Sequence, residues 1–372
     1  RQDRNQPAID EYHELLRLDP TYVRPHVDLC QLYTRIDDHP LAEKEAALAL
    51  DRYRTLGLKG GQAQTLLCLG EAQREQGGPH MAEARTNVEA ARELIRGLDQ
   101  PYNLSRAVFY QASLEYSDGR LRDALQLFED AAAKSHAVGN RLTEGTALMN
   151  LGVINFYLGR PTPAMDFYRR SREVFLSLGD ERRVAEMDVN AAGLQIDYAN
   201  AREEGLKTLA NAKANLEKLG HVDFQLVALQ TEAEADRYIG RIDESRTLLR
   251  SALQIARERQ LASKTTALRT ALAQTDLEAN DYEAARTALE ELVNQDASNE
   301  AARIELGVVL TRLGDFAAAK GHLDRALADA QKLELVGLLP SIHAALGELA
   351  YQMKRAPMAL EHFGLALRSW SD

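Results

Sequence analysis

Apolar positions along this chain recur at helical spacing. In the stretch LMNLGVINFYLGR at 148–160, apolar side chains fall three or four residues apart, and the stretch closes on Gly159. That period is typical of an α-helix with one buried face, and a glycine commonly follows such a helix. Runs of alternating β-branched residues, which would indicate strands, are missing. The pattern therefore predicts an all-α protein.

The same helical pattern returns along the whole chain. A small residue marks the middle of the first helix in each unit, and successive members lie 40 to 42 residues apart except for one step of 34. These residues are Cys30, Gly70, Ala112, Gly152, Gly193, Ala233, Ala273, Gly307 and Gly347. A second column of small residues keeps step with the first in the following helices. Such self-similarity is typical of a helical repeat array.

Each unit is predicted to contain a helix, a turn and a second helix. The small residue of the first helix would let a neighbouring helix approach to near backbone contact. The turns are assigned to residues that tolerate a left-handed backbone, namely Gly77, Gly119, Gly159, Asn200, Gly240, Asn280 and Gly314. In the second helix, residues such as Ala124, Phe128 and Ala131 form an i, i+4, i+7 stripe that packs on the first helix.

These units resemble the tetratricopeptide repeat family. The opening is close to the consensus of about 34 residues, with Ala8, Tyr12 and Leu15 on one helix, Asp19 and Pro20 in the turn, and Leu29, Cys30 and Tyr33 on the next helix. The step through NQDASNEAARIELG matches it too, whereas the longer units add length to both helices and a short loop such as AVGNRLTE. The resemblance implies a right-handed superhelical solenoid of antiparallel helix pairs.

One array is expected to occupy the whole chain. We predict that residues 1–372 form a single solenoid of about nine helix pairs, after a lone leading helix at residues 8–18 and with no separate catalytic domain. The chain opens on Arg rather than Met, and neither end shows the polar cap that a solenoid needs. We therefore interpret it as a piece of a longer protein, whose uncapped ends would permit pairing into a homo-oligomer.

Composition narrows the classes of function. The net charge of −11 disfavours nucleic acid as a partner, because phosphate binding needs a basic stripe. The chain lacks an apolar run long enough for a membrane-spanning helix, so we expect no membrane partner and a cytoplasmic location. Cys30 and Cys68 lie inside apolar helical patterns, and we interpret them as buried small hydrophobic residues rather than as a disulfide framework.

Signatures of catalysis and of cofactor binding are missing from the sequence. It lacks a phosphate-binding loop, a nucleotide-binding glycine pattern and a zinc-protease pattern. The nine histidines are scattered, without the spacing of a metal site. We therefore expect no enzyme activity, no cofactor and no metal.

The inner groove of the predicted solenoid provides the candidate site. First helices would line this groove with a polar ladder (Asn150, Asn190, Gln230 and Thr270), a row of tyrosines (Tyr116, Tyr157, Tyr198 and Tyr238) and three arginines (Arg74, Arg106 and Arg237). Amides can donate to and accept from a peptide backbone, tyrosines offer amphipathic contact area, and arginine can hold a carboxylate. Both rows also have a structural interpretation, in which the tyrosines only close the turns onto the next unit.

The leading hypothesis is a module that binds a protein or peptide in this groove. Its long units resemble the sensor or scaffold arms of bacterial multidomain regulators, which implies that ligand binding controls a further domain. The Lys and Asn carboxylate clamp known from this family is not matched, so chaperone tails are not the expected ligands.

Two alternatives remain open. One is a small-molecule sensing domain of a transcription regulator, in which Phe109, Tyr110, Phe156 and Tyr157 stack on an inducer. The other is a self-associating structural scaffold. A peptide needs polar groups along many repeats, whereas a small inducer needs one deep pocket.

Overall fold

The computed structural model describes residues 2–197, 201–297, 299–332 and 338–371. In these residues the chain forms nineteen α-helices and one short 3₁₀ turn, Gly78–His80, without a strand. The predicted all-α class is confirmed. The chain divides into two compact units, unit 1 at Arg1–Asp180 and unit 2 at Glu181–Asp372.

Unit 1 contains a leading helix and four helix pairs in its described residues. The helices are α1 Gln2–Leu18, α2 Arg24–Arg35, α3 His39–Thr55, α4 Lys59–Gln76, α5 Met81–Arg96, α6 Pro101–Ser117, α7 Leu121–Ala137, α8 Arg141–Tyr157 and α9 Pro161–Ser177. We call the first helix of each pair, α2 to α8 in even numbers, helix A, and the second helix B.

Unit 2 contains five such pairs in the part of the chain that the structure describes. The helices are α10 Glu181–Asp197, α11 Arg202–Lys218, α12 Val222–Tyr238, α13 Ile242–Glu258, α14 Ala262–Glu278, α15 Tyr282–Gln295, α16 Glu300–Leu313, α17 Phe316–Lys332, α18 Leu339–Gln352 and α19 Ala356–Ser371. Helix A is again the even-numbered member of each pair.

Helix A is the more enclosed member of a pair. Within each unit it packs on its own helix B and also contacts helix A of the next pair, as α4 contacts α6 in unit 1 and α12 contacts α14 in unit 2. The side of helix A that faces away from the B helices stays open. We call this surface the helix A face of each unit.

Glycines in helix A make room for bulky side chains of helix B. A Cβ atom on Gly152 would lie 2.5 Å from Cδ1 of Tyr168, and one on Gly347 would lie 2.7 Å from Cδ1 of Phe363. At these two glycines the close approach is between a backbone and an aromatic ring, whereas at Gly70 a Cβ atom would lie 3.2 Å from the backbone carbonyl oxygen of Ala84, which is the backbone approach that the sequence suggested. The predicted stripe on helix B is buried for this reason, as Ala124, Phe128 and Ala131 show.

The pair α10 and α11 reverses this arrangement. A Cβ atom on Gly193 would meet only Cγ2 of Thr231, at 3.7 Å, which is ordinary contact. The tight position is instead Gly205 on helix B, where a Cβ atom would lie 3.0 Å from the carbonyl oxygen of Ala192. Here the helix B backbone approaches helix A.

Positive φ angles end the first helices as predicted. The described turn residues have φ between 61° and 83°, namely Gly77, Gly119, Gly159, Gly240, Asn280 and Gly314. Asn200 lies outside the described residues. At the end of α8 the Gly159 and Arg160 amides donate to the carbonyl oxygens of Phe156 and Asn155, which closes the helix.

The long units differ from short ones in their helices. The stretch AVGNRLTE is mostly helical, because α7 ends at Ala137 and α8 begins at Arg141, so the short loop predicted over this stretch comprises only residues 138–140. Helix α13 has 17 residues, whereas α15 and α16 have 14 each. Two helices that are each three residues longer account for the difference between the 40-residue and 34-residue steps.

The two cysteines form a disulfide bond, which corrects the expectation from the sequence. Cys30 on α2 and Cys68 on α4 are buried, as predicted, but their sulfur atoms are bonded to each other. Their Cα atoms lie 6.5 Å apart, within the range that a disulfide spans. A separation of 38 residues is close to one repeat, so it places both cysteines at the same contact between neighbouring A helices.

Candidate functional site

The polar ladder lies on four successive A helices, with Asn150 in unit 1 and the other three residues in unit 2. All four side chains are half-buried. The amides of Asn150 and Asn190 make no hydrogen bond to any described residue. In contrast, Gln230 donates to Glu234 at 2.9 Å, and Thr270 donates to a carbonyl of its own helix at 3.1 Å. Two members of the ladder thus keep their full hydrogen-bonding capacity.

The tyrosine row divides into a half-buried and an exposed class. Tyr116 packs against the core of unit 1, and burial together with Tyr157 raises its pKa to about 12. Tyr157 is 64% exposed and meets Phe156 edge-on, with ring centroids 5.7 Å apart. Tyr238 is 61% exposed, and Tyr198 lies outside the described residues. The exposed rings are available for contact with a ligand.

Arg74 is already engaged by acidic neighbours. Its Nε and Nη2 atoms donate to the two carboxylate oxygens of Glu71, both at 3.0 Å, and Nη2 also pairs with Glu75. Burial alone would lower the pKa of Arg74, but these ion pairs outweigh it and raise that pKa above its ordinary value. Nη1 donates to Ser117 on α6 at 3.3 Å. The side chain therefore ties two A helices together.

Arg237 also has an acidic partner, whereas Arg106 has none among the described residues. Arg237 pairs with Glu278 on α14 and covers the ring of Tyr238, 5.0 Å from its centroid. Arg106 has no ion pair within the described part of the chain. Its guanidinium carbon lies 5.7 Å from the ring centroid of Tyr110, and Nη2 donates to the hydroxyl of that tyrosine at 3.4 Å. Among the three predicted arginines, Arg106 alone is left for an external anion.

A second polar row crosses unit 1 and was missed in the sequence. Nη1 of Arg24 on α2 donates to Oε1 of Gln64 on α4 at 3.0 Å, and Nε2 of Gln64 donates to Oδ1 of Asn103 on α6 at 3.1 Å. The spacings of 40 and 39 residues were the signal that could have found it. This row shows what an A-helix amide does when its role is structural.

Unit 2 carries an acidic counterpart on its helix A face. Gln274 on α14 donates to Glu305 on α16 at 3.2 Å. Burial raises the pKa of Glu305, against the opposing effects of Gln274 and the positive charge of Arg237. With Glu234 and Glu278 on neighbouring A helices, this surface offers carboxylates between amides.

The aromatic residues proposed for inducer stacking do not form one pocket. Phe109 meets the buried ring of Phe128 edge-on at 5.6 Å, so it belongs to the core. Two open clefts, of about 490 and 500 Å³, flank the start of α4 and share Lys59 and Leu98 in their walls. Neither cleft is lined by any of the four aromatic residues.

None of the described helices has both the length and the apolar character needed to cross a bilayer.

Comparison with known families identifies the repeats. Family models described as tetratricopeptide repeat match residues 109–173 in unit 1 and residues 276–339 in unit 2. The chain contains tetratricopeptide repeats. No curated protein sequence matches this tetratricopeptide repeat chain significantly.

Solved structures of several helical repeat proteins are similar to it in fold. A Rap protein complexed with competence and sporulation factor has a TM-score of 0.70 at 12% identity, covering 93% of this chain and 97% of that one. NprR in complex with its cognate peptide NprX has a TM-score of 0.66 at 14% identity, with 94% and 99% covered. A human IFIT1 dimer with PPP-AAAA has a TM-score of 0.56 at 16% identity, with 98% and 81% covered. At these identities the similarity concerns the fold.

Proposed function

We propose that this tetratricopeptide repeat protein binds a peptide on its helix A face. The observation that carries the proposal is a half-buried amide on the helix A face of each unit, Asn150 in unit 1 and Asn190 in unit 2, which makes no hydrogen bond to any described residue. Neither amide has a fully buried nitrogen or oxygen atom, so water reaches these atoms and a ligand can replace it. A peptide backbone supplies both the donor and the acceptor that such an amide needs.

Amides that join A helices in unit 1 differ from Asn150 in their hydrogen bonds. Gln64 and Asn103 join neighbouring A helices through a direct hydrogen bond, whereas Asn150, on the same type of helix, makes no hydrogen bond to α6. If Asn150 served only to join helices, it would be paired in the same way. Exposed Tyr157 lies seven residues further along α8 and hence on the same side as Asn150, which adds apolar contact area beside the amide.

The similar NprR structure contains its cognate peptide NprX and the similar Rap structure contains competence and sporulation factor, and the first of these supports a peptide as the ligand class. The proposal includes a regulatory role, in which this chain is the sensor or scaffold arm of a bacterial signalling protein and the peptide controls a further domain. The alternatives of inducer sensing and of self-association remain predictions from the sequence.

An array of random linear peptides tests the proposal. We expect the wild-type chain to bind a subset of these peptides, and the Asn150→Ala/Asn190→Ala variant to bind them about ten- to hundredfold more weakly, as expected for loss of two ligand hydrogen bonds. The matched control is Gln126→Ala/Asn211→Ala, which removes two exposed amides from B helices. Equal losses in both variants, or binding that neither variant changes, would contradict the proposal.

A further inference from the structure

The helix A face of unit 1 holds a half-buried cation, Arg106, that forms no ion pair with any residue that the structure describes. Arg106 on α6 stacks beside Tyr110, one turn further along the helix, and makes only a 3.4 Å hydrogen bond with its hydroxyl. Tyr102, one turn earlier, is 49% exposed. The aromatic neighbours hold the guanidinium in place without neutralising it, so its remaining N–H groups stay available.

The neighbouring carboxylates do not neutralise the charge of Arg106. Arg24 on α2 is bonded to Asp28, which raises the pKa of Arg24, whereas the positive charge of nearby Arg106 opposes that rise. Glu71 on α4 attracts Arg106 through space, but both of its oxygens are bonded to Arg74. The two nearby carboxylates are therefore each bonded to another arginine, Asp28 to Arg24 and Glu71 to Arg74, and neither accepts a hydrogen bond from Arg106.

We propose that Arg106 is the anchor for a carboxylate of the bound peptide, with the Arg24 guanidinium adding long-range attraction and Tyr102 and Tyr110 contacting the adjacent side chain. The planar guanidinium donates two parallel N–H groups, which match the two oxygens of a carboxylate. Glu71 and Asp28 stand close by, and they would repel a phosphate, which carries nearly two negative charges, more strongly than a carboxylate with one. This inference rests on the proposed peptide function and names the charge of the ligand in unit 1.

The first experiment repeats the peptide array in two forms, with the C-terminus free and with it amidated, and includes amidated peptides that carry an internal Asp or Asn. Wild-type protein should prefer peptides with a carboxylate, and Arg106→Gln should lose that preference through a ten- to hundredfold weakening. Arg122→Gln, on the exposed side of α7, is the matched control. A preference for free C-termini identifies the terminal carboxylate, and a preference for Asp over Asn identifies a side chain. Equal binding of all forms would overturn the inference.

A second measurement does not depend on the array. The Nε–H resonance of Arg106, assigned with the Arg106→Gln variant, is followed while an N-acetylated dipeptide is added as its carboxylate or its amide. The carboxylate should shift this resonance and leave that of Arg122 in place. A larger response to inorganic phosphate, or the same response to the amide, would refute a carboxylate site.

The two proposals fail in different ways. If array binding depends on Asn150 and Asn190 but is indifferent to carboxylates and to Arg106→Gln, the peptide function stands and the carboxylate site is refuted. If no peptide binds while the dipeptide carboxylate still shifts the Arg106 resonance, the anion site stands and the peptide function is refuted.

Discussion

At the scale of single residues, equivalent positions of the repeat have different surroundings. Gly152 and Gly193 occupy the same column, but the ring of Tyr168 covers the first and only Thr231 approaches the second. The column itself could be read from the sequence. The contacts of each glycine could not be predicted, because they depend on whether helix A or helix B of the pair carries the glycine that the other helix approaches closely.

Alanine substitution should separate these two glycines. We expect Gly152→Ala to lower the free energy of unfolding by about 1–2 kcal/mol, because overpacking against the buried Tyr168 ring exceeds the gain in helix propensity. Gly193→Ala should instead raise it by up to about 1 kcal/mol, since its Cβ meets no tight contact. Urea unfolding of both variants measures the difference. A loss of the same size in both would contradict the described packing.

The ionisation of Tyr116 should report its burial. An unfolded tyrosine titrates near pH 10 and folded Tyr116 near pH 12, so the folded state keeps the proton that the unfolded state loses. The contribution of Tyr116 to stability is therefore complete below about pH 10 and is lost as the pH rises towards 12. Tyr116→Phe should reduce the fall in melting temperature over that interval. An unchanged fall would show that other groups cause it.

Hydrogen bonds within a single helix decided which ladder members are free. Gln230 is engaged because an acid, Glu234, follows four residues later, whereas Asn150 is followed at the same distance by buried Ile154. That difference was visible in the sequence, because residues four apart share a helix face. The ion pairs that engage Arg74 and Arg237 divide into a local one, with Glu71, and one between helices, with Glu278. The local one follows from the helical spacing, and the signal for the other was a separation of 41 residues, close to one repeat.

At the scale of helices, periodicity predicted their existence, and turn residues predicted most ends. Contacts between repeats were harder to predict from the sequence. The disulfide between α2 and α4 was missed because the cysteines are 38 residues apart, and only the contact between neighbouring A helices brings them together. The row from Arg24 to Asn103 was missed for the same reason.

Reduction of the disulfide should loosen unit 1 locally. Closing a loop of this length restricts the unfolded chain and is worth about 2–4 kcal/mol. We expect a reductant to speed amide hydrogen exchange in α2, α3 and α4 while leaving α16 to α18 in unit 2 unchanged. A Cys30→Ala/Cys68→Ala variant is the control, because it should exchange alike with and without reductant. If the rate of amide hydrogen exchange in α2 to α4 is the same with and without reductant, the expected stabilisation is refuted.

At the scale of the whole molecule, the repeat family could be predicted from the sequence, whereas the sequence only limited the possible classes of function. Two columns of small residues were enough to indicate tetratricopeptide repeats, and matches in both units confirm it. That residues 1–372 form one continuous solenoid stays a prediction. The family fixes a fold that many ligands can use, so the ligand class depends on which surface groups the fold leaves unpaired.

The central claim is that a peptide occupies the helix A face, and an exchange footprint tests it most directly. A peptide selected from the random array is added to the wild-type protein, and amide hydrogen exchange is measured helix by helix. The account predicts slower exchange on the helix A face of the unit that binds the peptide, in α8 around Asn150 for unit 1 or in α10 around Asn190 for unit 2, with the B helices α9 and α11 unchanged. Protection confined to the B helices or to the first and last helices would contradict it.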